Sequence, residues 1–462
     1  MNNHDLNELT AISPLDGRYR NKINELSPYA SEYSLIKTRL EVEIKYLIAI
    51  SDFQISRKLS KKEVDFLFSL VEKFSLQEAE KVKETEKTTR HDLKAVEFYL
   101  REKIKNSSLK DILELIHFGL TSEDINNISY RLLLKRGSEE IVIKEIKKIL
   151  DALLEKAESF KNLVILGRTH GQPAVPTTLG KEIVVYAQRL NNELKEFKKI
   201  KLTGKLNGAI GNVNALSFVY PQKNWVKFSE EFSKSLDLEP NILTTQINPS
   251  DDIIAYLQIY QRINSILIGL NQDVWRYISD NWLVQEIKKG EIGSSVMPQK
   301  VNPIDFENSE GNLGVANSLI EFFVRKLPIS RLQRDLSDST VLRNIGSALA
   351  YSLLGYKSLL TGLSRIRPNE EQISKDLNKD FSILAEGVQT LLRKENYKDP
   401  YSLIASLVKG KNIKEAEWID LVNKLPIEEK QKKVLEKLTP SGYIGLAKEL
   451  TEKAIKDIRS SR

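Results

Sequence analysis

The sequence predicts an all-α protein built around a bundle of long helices. Apolar residues recur three or four positions apart over long stretches, for example at Ile141, Ile146, Ile149, Leu150, Leu153 and Leu154. Alternating patterns typical of strands are absent between about residues 31 and 100. Pro328 and Pro368 end two of the later stretches with helical spacing. The longest predicted helix spans about 35 residues, and several predicted helices are longer than ~40 Å at a rise of about 1.5 Å per residue.

The predicted elements follow in chain order. Residues 1–30 are rich in turns, and residues 31–100 have helical spacing. The long helices are predicted at about 111–136, 139–160, 178–203, 251–287, 303–327 and 338–366. Ser250 and Asp251 are candidate caps for the start of one of them. Shorter helices broken by Pro and Gly follow to the end of the chain.

Two breaks in composition divide the chain into three predicted helical domains. A polar break at 106–108 separates an N-terminal domain, 1–110, from a central long-helix bundle, 111–366. A shift at Arg367-Pro368-Asn369 begins a C-terminal domain, 367–462. Helices this long with little cover of their own usually pack against partner subunits, so we expect a homo-oligomer.

The amino-acid composition limits the kinds of binding partner and the cellular compartment that we expect for this protein. The 70 Lys and Arg against 63 Asp and Glu give a net charge of +7, which mildly favours anionic partners. Many lysines lie beside glutamates on helical stretches, and no cluster of aromatic and basic residues indicates nucleic-acid binding. The absence of cysteine excludes disulfides, thiolate metal sites and cysteine nucleophiles. With no signal peptide and no long apolar run, a soluble cytoplasmic protein is expected, with no membrane partner.

The segment from Gly290 to Pro303 has the composition of a catalytic loop. Gly290 and Gly293 free the backbone, two adjacent serines follow, and Asn302-Pro303 is a helix-start signal. Lys300 and the amides of that helix start can stabilise a developing carboxylate dianion. A serine hydroxyl beside such positive charge can ionise and act as a base. This composition predicts proton abstraction next to a carboxylate.

Three of the four histidines are candidates for chemistry. His91, His117 and His170 each adjoin hydroxyls, Arg or Asp that can orient an imidazole, whereas His4 lies in the N-terminal tail and is interpreted as a surface residue. The sequence lacks a His-x-x-x-His pair and an Asp-rich calcium loop, so no metal site is expected. A serine hydrolase elbow and a Rossmann site are also not supported. The glycine-rich stretch 204–221 resembles no phosphate loop, because no Gly-Lys-Ser/Thr ending follows its glycines.

The string Gly-Ser-Ser-Val-Met-Pro-Gln-Lys-Val-Asn-Pro at 293–303 resembles the shared loop of the fumarase, aspartase and argininosuccinate lyase superfamily. Five other stretches resemble its adenylosuccinate lyase family: 13–19 (SPLDGRY), 88–92 (TTRHD), 121–124 (TSED), 244–247 (TTQI) and 334–343 (RDLSDSTVLR). The likeness runs from about residue 10 to the end of the chain.

The resemblance implies an all-α fold of three domains and a homotetramer with a multi-subunit helical core, in which several subunits build each active site. It implies no cofactor. The expected substrates are anionic nucleotides, namely adenylosuccinate, cleaved to AMP and fumarate, and the succinyl-carboxamide ribotide SAICAR, cleaved to AICAR and fumarate. Their phosphate and carboxylates explain the many Arg, Lys and hydroxyl residues in the matched stretches.

The resemblance also implies roles for individual residues. Ser294 is the expected base and His170 the expected acid, with Glu307 paired to His170. Lys300 and Asn302 are expected to bind the succinyl carboxylate. The remaining expected substrate-binding residues are Arg18, Tyr19, Arg90, His91, Asp92, His117, Thr121, Ser122, Gln246, Asn308, Arg334, Ser339, Thr340 and Arg343.

Two positions depart from some bacterial relatives, which have Asn at the position of Arg90 and His at that of Gln299. These departures affect details of phosphate contact and loop motion, not the reaction class. Two alternatives stay open at the level of sequence. One is an argininosuccinate lyase-type enzyme, whose loop also carries Met-Pro-Gln-Lys. The other is a non-catalytic helical scaffold or nucleic-acid-binding protein with the same fold.

Overall fold

A computed structural model of the protein describes residues 7–286, 297 and 300–461. Helices take up 67% of the chain, which confirms the predicted, mainly helical class. No helix in these ranges combines the length and apolarity needed to cross a bilayer.

Twenty-one α-helices and six short strands make up the described part of the chain. The α-helices are α1 (Arg20–Ile23), α2 (Ser27–Ala30), α3 (Glu32–Asp52), α4 (Lys61–Glu72), α5 (Leu76–Thr89), α6 (Asp92–Ile104), α7 (Ser122–Gly137), α8 (Ile143–Ser159), α9 (Leu179–Phe197), α10 (Asn214–Val219), α11 (Trp225–Ser235), α12 (Asp251–Ser279), α13 (Ile304–Lys326), α14 (Ser337–Leu342), α15 (Ile345–Arg365), α16 (Glu370–Leu377), α17 (Ala385–Lys394), α18 (Pro400–Val408), α19 (Glu415–Asn423), α20 (Glu429–Glu436) and α21 (Ala447–Ser460). The strands are β1 (Val164–Thr169), β2 (Gln172–Thr178), β3 (Thr203–Gly204), β4 (Glu239–Pro240), β5 (Leu283–Gln285) and β6 (Ile366–Pro368).

The chain forms two compact units. Unit 1 comprises Met1–Ile146, Leu194–Ser265 and Gly311–Tyr356, and unit 2 comprises Lys147–Glu193, Ile266–Glu310 and Lys357–Arg462. The boundaries between them fall inside the long helices α8, α9, α12, α13 and α15. The three domains expected from composition stay a prediction.

Capping residues fix where the helices near the predicted site begin. Ser31 and Ser34 form a capping box at the start of α3, with the Ser34 N–H donating to Ser31 Oγ at 3.2 Å. At α7 the Thr121 N–H donates to Asp124 Oδ2 at 2.9 Å. Helix α12 begins at Asp251, as its predicted cap signal indicated.

Several predicted helices are shorter than the periodicity suggested. Residues 108–115 form a 3₁₀ helix, and the chain then turns through His117 and Gly119, which both have positive φ, before α7 begins at Ser122. Helix α12 stops at Ser279 because Asn281 adopts the left-handed conformation, and strand β5 follows. The stretch predicted as one helix at 338–366 is divided into α14 and α15.

The expectation of an all-α fold needs one correction. The described residues contain three two-stranded sheets. One of these sheets is an antiparallel hairpin formed by β1 and β2. Its two central turn residues are His170 (φ 53°) and Gly171 (φ 72°), the positive values that a tight type I′ hairpin turn requires. The hairpin therefore places the predicted catalytic histidine at its tip.

Buried apolar side chains stabilise each unit separately. In unit 1, α3 packs on α7, and α3 contributes Leu40, Ile44 and Leu47, all at most 1% exposed. In unit 2 the helices after residue 380 surround Trp418, whose indole N–H donates to the Leu435 carbonyl at 3.0 Å. The core of unit 1 holds α3 against α7, the helix that begins at the predicted site residue Ser122.

Candidate active site

A turn between α5 and α6 brings His91 to Ser122. Arg90 ends α5 in the left-handed conformation (φ 52°), and His91 is the N-cap of α6, where its Nδ1 accepts from the Lys94 N–H at 3.2 Å. In a neutral ring this leaves the proton on Nε2, which lies 3.4 Å from Ser122 Oγ. Two predicted substrate-binding residues, 31 positions apart in the chain, are therefore neighbours.

Asp92 and Arg343 meet in an ion-pair network. Asp92 Oδ2 lies 2.8 Å from Arg343 and 2.8 Å from the buried Arg39, and Arg343 also pairs with Glu32 at 2.6 Å. Burial acts to raise the pKa of Asp92, but Arg39 and Arg343 outweigh it and lower that pKa overall. The carboxylate is thus ionised at neutral pH and fixes the position of both guanidinium groups.

Arg334 lies between Glu123 and Gln246. Its guanidinium is 3.2 Å from Glu123 Oε2 and donates to Gln246 Oε1 at 3.4 Å, while its buried Nε has no hydrogen-bond partner among the described residues. Burial raises the pKa of Glu123 to about 7, although Arg334 acts in the opposite direction. Because the Arg334 cation is only partly neutralised, this corner of unit 1 suits an anionic ligand group.

Four further predicted substrate-binding residues of unit 1 lie in two segments, Arg18 and Tyr19 near the N-terminus and Ser339 and Thr340 just before Arg343. Arg18 is exposed, with its guanidinium 6.0 Å from the centroid of the Tyr19 ring. Ser339 and Thr340 lie on α14, the short helix that joins the Arg334 segment to Arg343. The Ser339 N–H donates to Asp338 Oδ1 at 2.7 Å.

His117, which was expected to line the substrate pocket, is largely buried against acidic side chains. Its side chain is 12% exposed, with Nδ1 2.6 Å from Glu43 Oε1 and Nε2 3.8 Å from Glu97 Oε1. Burial acts to lower the pKa of His117, but Glu43, Glu97 and Asp124 raise it overall. Its contact with substrate stays a prediction, and its contacts in the chain fix the turn before Thr121.

The His117 pair predicts a pH dependence of stability. A histidine pKa raised by folding stabilises the protein fully below the unfolded value of ~6.5 and loses that contribution as pH rises through the folded value. We expect the free energy of unfolding to fall across this range in the wild type and to change less in His117→Asn, since Asn tolerates the left-handed φ. Denaturant unfolding at fixed protein concentration measures this, and parallel pH curves for the two proteins would contradict it.

In unit 2 the predicted catalytic groups lie on the hairpin and at the start of α13. His170 is exposed at the hairpin tip. Lys300 is exposed, with its N–H donating to the Met297 carbonyl at 3.0 Å, and Asn302 is partly buried just before α13. Asn308 is exposed on α13. Ser294 and Gln299 lie outside the described residues.

Within the described residues, Glu307 has a hydrogen-bond partner other than His170, its predicted partner. Its Oε1 accepts from the Trp275 indole N–H at 3.2 Å. The hydrogen bonds described for Glu307 and His170 do not join these two residues. The predicted pairing between them stays a prediction.

The structure adds residues that sequence reasoning missed, namely Arg39, Glu32, Glu123 and the buried pair Lys205 and Asp124. The sequence contains one indication that Arg39 is buried and paired. This residue follows Leu35 and Ile36 and precedes Leu40 on the apolar face of α3, where an unpaired charge would be costly to bury. The resemblance at 121–124 predicts site roles for Thr121 and Ser122, and the structure adds the two acidic residues that follow them.

Comparison with known proteins identifies the family. Residues 17–317 match the family model described as lyase, and residues 330–444 match that of the adenylosuccinate lyase C-terminal region. The chain is 45% identical over 452 residues to adenylosuccinate lyase of Haemophilus influenzae, covering 97% of this chain and 99% of that protein. The chain belongs to the adenylosuccinate lyase family. This confirms the resemblance found in the sequence.

Other members of the adenylosuccinate lyase family are similarly close. Those of Dictyostelium discoideum and Escherichia coli K12 are 45% and 41% identical, each covering 96% of this chain and 98% of the relative. Among solved structures, a fumarate lyase from Mesorhizobium sp. BNC1 superposes with a TM-score of 0.75 at 17% identity, covering 94% of this chain and 97% of that one. At this identity the likeness shows a shared fumarate lyase fold. Family membership favours adenylosuccinate lyase over the argininosuccinate lyase alternative.

Proposed function

We propose that this protein cleaves adenylosuccinate to AMP and fumarate, and also cleaves SAICAR to AICAR and fumarate. The observation that carries the proposal is the 41–45% sequence identity, over nearly the full length of the chain, to proteins named adenylosuccinate lyase. Arg334 and Arg343, whose guanidinium groups are held by Glu123 and Asp92 of unit 1, support it, because arginine binds a nucleotide phosphate well. Purine biosynthesis is the corresponding pathway.

In the proposed reaction Ser294 removes a proton from the succinyl carbon next to a carboxylate. The electron pair left on that carbon forms the double bond of fumarate as the C–N bond breaks, and His170 protonates the departing nitrogen. Lys300 and Asn302 hold the succinyl carboxylate and stabilise the negative charge that develops on it. Glu307 orients His170.

The nucleotide is proposed to bind through residues of unit 1 and through Asn308 of unit 2. The residues proposed to hold the nucleotide and its phosphate are Arg18, Tyr19, Arg334, Ser339 and Arg343. The residues proposed to complete the pocket are Arg90, His91, Asp92, His117, Thr121, Ser122, Gln246, Asn308 and Thr340. Several subunits of a homotetramer are proposed to contribute to each pocket.

The direct test is fumarate release, followed by ultraviolet absorbance, from adenylosuccinate, SAICAR and argininosuccinate in parallel. We expect turnover of the first two substrates. Turnover of argininosuccinate alone would replace the proposal with the related reaction. A folded protein that releases fumarate from none of them would support the non-catalytic alternative.

Substitution of Arg343 tests the proposed phosphate site. We expect Arg343→Met to raise KM for adenylosuccinate by ~10- to 100-fold, because a charge-assisted hydrogen bond contributes roughly 1.5–3 kcal/mol. Arg343→Lys keeps the charge but loses the planar fork, so its KM should lie between those of the wild type and the Met variant. Steady-state kinetics measure both.

The chain offers a matched control for this substitution. Arg136 has the same 38% side-chain exposure as Arg343 and also pairs with a glutamate, Glu41, at 2.8 Å. Arg136→Met should leave KM near the wild-type value. Equal KM changes in Arg343→Met and Arg136→Met would argue against a phosphate contact by Arg343.

A further inference from the structure

The glycine-rich stretch that sequence motifs left unexplained forms a loop, 204–213, between two predicted parts of the substrate site. Gly208 and Gly211 have φ values of 82° and 81°. A Cβ on Gly211 would lie 2.1 Å from the Thr244 carbonyl oxygen, so only glycine fits this approach. The loop is therefore built to lie against the segment that carries Gln246.

A fully buried ion pair fixes one side of this loop. Lys205 Nζ lies 2.7 Å from Asp124 Oδ1 and donates to the Gly208 carbonyl at 2.7 Å, and both side chains are 0% exposed. Asp124 Oδ1 also accepts from the Asn207 N–H at 3.0 Å. Because Asp124 Oδ2 accepts from the Thr121 N–H as well, one carboxylate holds both the loop and the start of α7.

The other side of the loop is bonded to residues 242–246. The Asn207 side-chain amide donates to Thr244 Oγ1 at 2.9 Å and to the Ile242 carbonyl at 3.0 Å. Gln246 Nε2 donates to the Ala209 carbonyl at 2.9 Å. Because the Gln246 amide NH₂ donates to Ala209, its oxygen Oε1 lies on the side of Arg334 and accepts from the Arg334 guanidinium at 3.4 Å.

We propose that Lys205 and Asp124 are positioning residues for the substrate site, which fix loop 204–213 so that Gln246, Thr121 and Ser122 stand in their binding positions. This inference rests on the proposed function and adds to it residues that do not themselves touch substrate. A lysine and an aspartate with no solvent exposure are costly to bury, and within the described residues the hydrogen bonds of these two side chains go to this loop, to the neighbouring helix start and to each other.

A second buried ion pair on the same helix supplies the matched control. Arg131 lies seven positions after Asp124 on α7 and pairs with Asp252 at 2.7 Å, with side chains only 2% and 8% exposed. Asp252 also accepts from the Thr203 N–H at 2.7 Å, so this pair too joins α7 to the chain just before the loop. It has no hydrogen bond to Gln246, Thr121 or Ser122 within the described residues.

The experiment compares two double variants, each of which removes both charges so that no buried charge is left alone. We expect Lys205→Met with Asp124→Asn to raise KM for adenylosuccinate by ~10- to 100-fold with a much smaller change in kcat, as misplaced binding groups do. Arg131→Met with Asp252→Asn should keep KM near wild type. The affinity for AMP, measured by calorimetry, should follow the same pattern.

A double-mutant cycle with Gln246→Met separates positioning from a general loss of stability. If the ion pair acts through Gln246, the two changes in KM are not additive. Additive changes, or equal effects of the two double variants on KM and AMP affinity, would overturn the inference.

A milder variant covers the case in which the Lys205 and Asp124 double variant does not fold. Thr244→Val removes the hydroxyl that binds Asn207 without touching a charge, and we expect it to raise KM and weaken AMP binding in the same direction. Unchanged values in Thr244→Val would also overturn the inference. A wild-type protein that binds AMP but releases no fumarate would overturn the proposed reaction alone.

Discussion

Ser294→Ala is expected to lower kcat for fumarate release by ~10²- to 10⁴-fold, the range attributed to a positioned general base. The physical reason is that the serine acts on the proton in the transition state and contributes little to holding the ground-state substrate. KM and the affinity for AMP should therefore change much less than kcat. Steady-state fumarate release and calorimetry with AMP measure the two effects.

The neighbouring serine is the matched control for this substitution. Ser295→Ala changes the same chemical group one position along the same loop, and we expect it to retain most of the wild-type kcat. Near-normal turnover in Ser294→Ala would show that another group is the base. A comparable loss in both variants would show that the loop needs two hydroxyls for a different reason.

The mainly helical fold was predictable because local signals agree with it. The cap signal at Ser250 and Asp251 marks the start of α12, and apolar spacing runs through the helix. The hairpin that carries His170 was missed because its second strand contains Pro173 and Pro176, which weaken a strand pattern. Its apolar part, Val164 to Leu166, is too short to distinguish strand from helix by periodicity.

The candidate site was predictable only as far as its motifs extend. Recognised stretches supplied His91 and Ser122, and the structure then showed them in contact. Pairings such as Arg39 with Asp92, 53 positions apart, depend on how α3 packs on α6, which no local pattern encodes. The same holds for Lys205, whose role becomes visible only when Asp124 is found beside it.

His170→Asn is expected to lower kcat by a similar ~10²- to 10⁴-fold, because the departing nitrogen then leaves without a proton donor. Asn is the suitable replacement, since position 170 has a φ of 53° and Asn tolerates that conformation better than Ala. The hairpin should keep its fold, so a loss of kcat reports on the imidazole. His4→Asn, at a histidine with no assigned role, should leave kcat unchanged.

The two inactive variants together test whether subunits share active sites. If His170 and Ser294 of one site come from different subunits, mixed oligomers of His170→Asn and Ser294→Ala contain some sites with both native groups. Fumarate release should then recover after the subunits exchange, although each variant alone is inactive. Mass spectrometry of the mixed oligomers verifies the exchange, and no recovery in verified mixtures would mean that one subunit supplies both groups.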